Sequence, residues 1–190
     1  MKTDTLRVAI IIGSTRAQRF GPTVAEWFHG HAAAHGGLDL DLIDLAHTGL
    51  SDVLTDDPDS AVLALAPRLA QADAFVVVSP EYNHGYPAPL KTAIDCYVEE
   101  WKAKPVAIVC YGGVSGGLRA AEQLRQVFGE LHAVTIRDTV SFHNCWNKFD
   151  DAGQPLDLAG AGAAATALLN QLTWWARALR DARGARPYPL

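Results

Sequence analysis

Residues 74–101 read AFVVVSPEYNHGYPAPLKTAIDCYVEEW. The opening AFVVVS is an apolar run rich in β-branched residues and closed by proline, which predicts a strand buried on both faces. Pro80, Pro87 and Pro89 then stiffen a loop that holds Tyr82, Asn83, His84 and Tyr86. Beyond it Leu90, Ile94, Tyr97 and Trp101 fall on one helical face, predicting a helix over 89–101. A buried strand followed by a loop and a helix is the repeating piece of a parallel sheet.

The same alternation runs outward in both directions. Leu6–Ile12 predicts a buried strand and Leu38–Leu45, LDLDLIDL, a half-buried one. Between them Thr23–His35 predicts a helix, with Thr23 and Glu26 in capping-box spacing. A helix is expected over Ala61–Ala72, strands over Pro105–Tyr111 and Ala133–Phe142, and helices over Gly117–Phe128 and Asp157–Arg180. Five strands alternating with helices imply an α/β fold, a parallel sheet covered on both faces. No repeat or low-complexity linker divides the chain, so residues 1–190 are expected to form one domain. The stretch 184–190 is expected to be irregular, frayed or docked on a partner.

Charge and cysteine usage narrow the function classes. Lys plus Arg number 16 and Asp plus Glu 21, a net charge of −5, which argues against nucleic-acid binding. Cys96, Cys110 and Cys145 are odd in number and widely spaced, which suggests free thiols in a reducing, cytoplasmic setting and no metal site. His143-Asn144-Cys145-Trp146 offers one His and one Cys, too few for a metal. Asp4 and Arg7 interrupt the N-terminal apolar run, so no signal peptide is expected. The uncharged stretch 158–176 is mostly Ala and Gly and carries Asn170 and Gln171, which predicts an amphipathic helix rather than a membrane span. Arg177, Arg180, Arg183 and Arg186 near its end suit the helix dipole.

Open α/β sheets bind ligands beyond the carboxyl ends of their strands. The loop after the first strand, GSTRAQRFGP, combines Gly13, two hydroxyls, Arg16, Arg19 and the start of a helix, which together suit an anion, most naturally a phosphate. It is neither a P-loop nor a dinucleotide fingerprint. The proline-stiffened loop after the third strand suits a flat ligand, with rings to stack and Asn83 to read an edge. The loop after the fourth, YGGVSGG, lets backbone approach closely and exposes amides that can form an anion nest. Ser115 is a candidate N-cap for the helix that follows it.

Taken together, GSTRAQR, SPEYNHGYPAPLKTAID and YGGVSGGLRAAEQLR resemble the NADPH-dependent FMN reductase family, over roughly residues 6–142. The resemblance implies a flavodoxin-like three-layer sandwich with strand order 2-1-3-4-5. It implies FMN as cofactor, NADPH or NADH as donor, and hydride transfer to flavin N5 without a side-chain acid or base. The acceptor would be a small molecule: a flavin, a quinone, an azo compound or a metal oxyanion. By resemblance Ser14, Arg16, Arg19, Phe20 and Gly21 form the phosphate site, and Pro80, Glu81, Tyr82 and Asn83 lie along the ring system. Gly112, Gly113, Val114 and Ser115 meet its pyrimidine end, where backbone N–H groups stabilise negative charge, and His84 and Tyr86 line the acceptor face. The family commonly reads LKNAID where this chain has Thr92, and many members have Ser where this chain has Arg19. A homodimer or dimer of dimers is implied, formed through helix 89–101 with Tyr97 and Trp101.

Two other readings compete. An FMN-binding electron carrier or redox-sensing module would use the same loops without turnover. Gly113-Val114-Ser115-Gly116-Gly117 also matches the GxSxG elbow of serine hydrolases, for which Asp138 and His143 are the available triad partners.

Overall fold

In the computed structural model, which describes residues 5–189, Leu6–Ile12 (β1), Ala74–Pro80 (β3) and Pro105–Gly112 (β4) form the middle of a parallel sheet. Leu38–Asp44 (β2) and Val134–His143 (β5) are its edges, and the strand order is 2-1-3-4-5. Every residue of β3 and β4 is buried, as runs of Val and Ile covered on both faces require. Side chains alternate between two cores. Val8, Ile10, Val76, Val78 and Val109 face Gly21–His35 (α1) and Leu158–Ala185 (α5). Ile11, Phe75, Val77 and Ile108 face Ser60–Gln71 (α2), Ala88–Asp95 (α3) and Leu118–Glu130 (α4). Edge strand β2 keeps its acidic alternation, with Arg7 and Arg68 reaching Asp41. A register shift between β4 and β5 is held by Arg125 of α4, which donates to the Arg137 carbonyl at 3.0 Å and to Thr139 Oγ1 at 2.9 Å.

Several helix ends differ from the sequence reading. Helix α1 begins at Gly21 with Phe20 at its N-cap, so Thr23 lies inside the first turn and Thr23–Glu26 is not the capping box. Helix α3 stops at Asp95 rather than running to residue 101. Trp101 folds back and its indole Nε1 donates to the Ile94 carbonyl at 3.1 Å, capping the helix from inside the core. Its ring packs on Phe75 and Phe128. Tyr97 is buried as well and donates its hydroxyl to the Val62 carbonyl. Both side chains are therefore core residues of their own chain, which corrects their assignment to a subunit interface. Helix α4 is N-capped by Gly117, not Ser115.

Helix α5 runs past residue 180 to Ala185, so residues 184 and 185, expected in the irregular tail, are helical. Arg180 and Arg183 reach Asp73 at 3.5 and 3.7 Å, tying the helix to the start of β3 rather than serving its dipole alone. The tail docks on its own chain: the Tyr188 ring meets His132 edge-on at 5.7 Å, with the hydroxyl 3.2 Å from Nδ1. Among the described residues no helix is long and apolar enough to cross a membrane, and no His/Cys/Asp/Glu group could hold a metal. Asp4 lies outside the described residues.

Candidate functional site

Because all strands point the same way, the loops after β1, β3 and β4 emerge on one edge of the sheet. They enclose a cleft of about 850 Å³. Its walls are Thr15 to Phe20 from the first loop, Pro80 to Asn83 and Pro87 to Pro89 from the second, and Tyr111 to Gly113 from the third. Trp146, from a 3₁₀ turn just past β5, closes one side. A second hollow of about 390 Å³ shares Thr15, Ala88 and Pro89 with this cleft and continues along 45–52 to Thr92. The apolar void between Ile11, Leu65 and Trp101 is about 10 Å³, too small for a ligand.

The first loop has the character of an anion site. Among the described residues, the backbone N–H groups of Ser14 to Gln18 and of Phe20 donate to no protein acceptor, Ala17 and Gln18 form a turn, and Phe20 offers α1 no side-chain cap. Arg19 is held by an ion pair to Asp44 at the end of β2, which also takes His47 at 3.2 Å. The Arg19 Nε is buried and without a partner. A part-buried arginine with one unpartnered donor, beside a run of unpaired amides, fits a phosphate. Ser14 is fully buried beneath the loop, its hydroxyl 2.7 Å from that of Tyr82, and Gly21 sits under Tyr111. Neither lines the cleft, so both act on the loop from below.

The second loop is a tight turn. Tyr82 and Gly85 exchange backbone hydrogen bonds of 2.8 and 3.1 Å, and Asn83 and His84 between them both have positive φ. Gln123 of α4 donates to the His84 carbonyl at 3.0 Å and fixes the turn. His84 and Tyr86 do not line the cleft: His84 is at the exposed tip, and Tyr86 packs against the α2–α4 core.

Glu81 reaches across to the third loop. Its carboxylate accepts from the backbone N–H of Arg119 at 3.1 Å and pairs with the Arg119 guanidinium at 3.2 Å. Burial alone would raise this carboxyl. The Ser115 hydroxyl, the amides of Arg119 and Ala120 and the Arg119 charge outweigh it and hold the group below its usual range. Glu81 is thus the side-chain cap of α4, and Ser115 is a donor to it. The hydrolase triad is not assembled: His143 Nδ1 is bonded to the Val114 carbonyl at 2.8 Å, and Asp138 pairs with Arg137. Val114 is 84% exposed and, like Ser115, lies outside the cleft lining, whereas Gly112 and Gly113 form part of it.

The lining residues not among those expected from sequence include Gln18, Pro87, Pro89, Tyr111 and Trp146. The last was legible only as part of an ambiguous HNCW string; the indole is 65% exposed and no ring contact is recorded for it among the described residues. Its neighbour Cys145 is buried, which pushes its thiol up to about 11 and leaves it unreactive.

The family model for NADPH-dependent FMN reductases matches residues 6–147. An NAD(P)H-dependent FMN reductase of Schizosaccharomyces pombe is 37% identical over 138 residues, covering 67% of this chain and 68% of its own. A quinone reductase of Escherichia coli is 33% identical over 142 residues, covering 70% and 75%. Among solved structures, the flavoenzyme NAD(P)H:(acceptor) oxidoreductase of Paracoccus denitrificans superposes with a TM-score of 0.75 at 24% identity, over 92% of this chain and 98% of that one. This last likeness bears on the fold, which is flavodoxin-like.

Proposed function

The chain belongs to the NADPH-dependent FMN reductase family, and from that premise we propose that it is an FMN-dependent NAD(P)H oxidoreductase acting on a small-molecule acceptor. One observation carries the reading: three loops from three strands meet in one cleft whose first loop has unpaired amides and an orphaned guanidinium nitrogen. Bound FMN supplies the redox chemistry, accepting a hydride from a nicotinamide and returning electrons to an acceptor.

The protein supplies binding and orientation. Arg16, Arg19 and the amides leading into α1 would hold the phosphate, with Ser14 fixing the loop from beneath. Pro80, Tyr82 and Asn83 form a stiff wall for a planar ring. The Gly113–Ser115 backbone would place N–H dipoles where reduction adds negative charge. No side-chain acid or base is needed. A flavin, quinone, azo compound or metal oxyanion would be the acceptor. Similarity to both an FMN reductase and a quinone reductase supports a flat organic one. His84 and Tyr86 would meet it only from outside the cleft.

The alternative is an electron carrier that binds FMN in the same loops. Steady-state NADPH oxidation with a quinone and with ferricyanide decides between them. An enzyme turns over with at least one acceptor, and a carrier with neither.

We further propose that residues 1–190 form one FMN-binding domain that pairs as a homodimer, or a dimer of dimers, in the cytoplasm. Exposed Val53 and Leu54 line a groove of about 270 Å³ that ends at Asp95 and Cys96 of the α3 terminus. This face, rather than Tyr97 and Trp101, would carry the contact. Three free thiols suit a reducing compartment.

A further inference from the structure

The end of β5 touches the glycine loop at more points than chain connectivity requires. Strand alternation sends Phe142 into the α1–α5 core and leaves Ser141 and His143 on the opposite face, beneath the 112–117 loop. The Ser141 hydroxyl donates to the Gly116 carbonyl at 2.9 Å. His143 Nδ1 is 2.8 Å from the Val114 carbonyl. A carbonyl can only accept, so Nδ1 carries the proton whatever the charge of the ring. One residue on, the Asn144 N–H donates to the Gly113 carbonyl at 2.8 Å.

The fit is close. A Cβ at Gly116 would stand 2.5 Å from Ser141 Oγ and 2.6 Å from the His143 ring, at a φ of +62°. Glycine is therefore needed at 116 because these two side chains press against it. The Ser115 carbonyl is also taken, by the Leu118 N–H at 3.1 Å. The carbonyls of residues 113 to 116 are thus all engaged with neighbouring protein groups. By contrast the N–H groups of Gly113, Val114 and Ser115 donate to no acceptor among the described residues. A loop with its carbonyls tied back and its amides unpaired is a one-signed surface, favourable to negative charge.

We propose that Ser141 and His143 are positioning residues for electron transfer: by holding the Gly116 and Val114 carbonyls they keep the loop's amides available to the reduced cofactor. The proposal rests on the reading of the cleft as an FMN site. It adds that the redox balance of that site is set partly from β5, by two side chains outside the cleft lining. Reduction of a flavin adds negative charge at its pyrimidine edge, so dipoles aimed there favour the reduced form over the oxidised one. Releasing a carbonyl lets its peptide rotate and present the opposite dipole.

The test is the midpoint potential of bound FMN, measured by anaerobic dye equilibration, together with the Kd for oxidised FMN. Ser141→Ala, His143→Ala, His143→Asn and the double variant Ser141→Ala/His143→Ala are compared with the wild type. Each alanine variant is expected to shift the equilibrium about tenfold toward oxidised flavin, roughly 30 mV for a two-electron couple. The Kd for oxidised FMN is expected to change less than threefold. Asparagine keeps a donor near the Val114 carbonyl, so His143→Asn should restore most of the wild-type potential. Should His143→Ala fail to fold, Ser141→Ala and His143→Asn decide the matter by the same readout. A merely structural role would weaken oxidised and reduced FMN alike and leave the potential unmoved, and that result overturns the proposal. Wild-type protein that binds no FMN contradicts the cofactor reading itself, and this proposal with it. Wild-type protein that binds FMN alongside variants of unchanged potential contradicts only the role given to Ser141 and His143.

Discussion

The carboxylate of Glu81, in the loop after β3, accepts a hydrogen bond from the backbone N–H of Arg119, in the first turn of the helix after β4. Segments 38 residues apart in sequence are thereby locked into one wall. Glu81 is 6% exposed at its side chain, and its carboxylate is engaged with Arg119 and the start of α4. It acts as an N-cap borrowed from a neighbouring strand.

Replacing Glu81 with Ala is expected to lower stability by about 1–2 kcal/mol, the range for loss of a helix cap, and to weaken FMN binding. The group's pKa is depressed in the folded state, so its contribution is fully present above the ordinary carboxylate value and is lost as pH falls through the lower folded value. The melting temperature of the wild type should therefore exceed that of Glu81→Gln at pH 7, and the gap should narrow as pH falls below the ordinary carboxylate range. A gap that does not narrow on acidification would place the effect elsewhere.

The phosphate assignment separates FMN from riboflavin, which lacks the phosphate. Arg16→Ala and Arg19→Lys should each weaken FMN by about tenfold, or 1.4 kcal/mol, while leaving riboflavin affinity within twofold. Lys at 19 keeps a charge for Asp44 but removes the guanidinium whose Nε is unpartnered. Fluorescence titration of both ligands reads the difference. Equal losses for the two would mean that the first loop does not read the phosphate.

Two glycines of the third loop should respond in opposite ways. A Cβ at Gly117 would lie 2.7 Å from the Tyr111 backbone nitrogen at a φ of +88°, so Gly117→Ala should cost at least about 1–3 kcal/mol from overpacking alone. Around Gly113 nothing stands within 4 Å and φ is ordinary, so Gly113→Ala should melt within about 0.5 kcal/mol of wild type. Yet it should bind FMN more weakly, because the added methyl enters the cleft. Thermal melts and FMN titration on both variants check this. Normal FMN affinity in Gly113→Ala would move the ring away from that backbone.

Trp101 and the 53–54 loop distinguish core from interface. Trp101→Ala should destabilise by about 3–5 kcal/mol, as expected for a large aromatic removed from a filled core. A Leu54→Glu/Val53→Glu variant should leave the fold intact and shift the protein toward monomer in light scattering after size exclusion. A Trp101 variant that is stable but monomeric would return the interface to that side chain.

The strand order and the two-faced sheet were legible because buried parallel strands and amphipathic helices leave strong periodic signals. The short helix α3 was not, since Tyr97 and Trp101 continue a helical stripe in sequence. Only tertiary packing shows that Trp101 instead turns back to cap Ile94. The start of α1 was hidden for a related reason: Thr23–Glu26 has capping spacing, but the helix already begins at Gly21–Pro22 and its first turn carries no side-chain cap. At the site, the loops that build the cleft stood out by composition, because glycine, proline and arginine concentrate there. What each residue does within them was less accessible. The capping role of Glu81 and the reach of His143 to Val114 depend on contacts across 38 and 29 residues. Trp146 gave no periodic signal, sitting in a single 3₁₀ turn.

The most direct measurement is the visible spectrum of the purified protein, reconstituted with FMN and followed before and after anaerobic addition of NADPH. A bound flavin band that bleaches on addition, with FMN released on denaturation, is the predicted result. A protein that takes up no FMN, or whose bound FMN stays oxidised with both NADPH and NADH, would contradict the account.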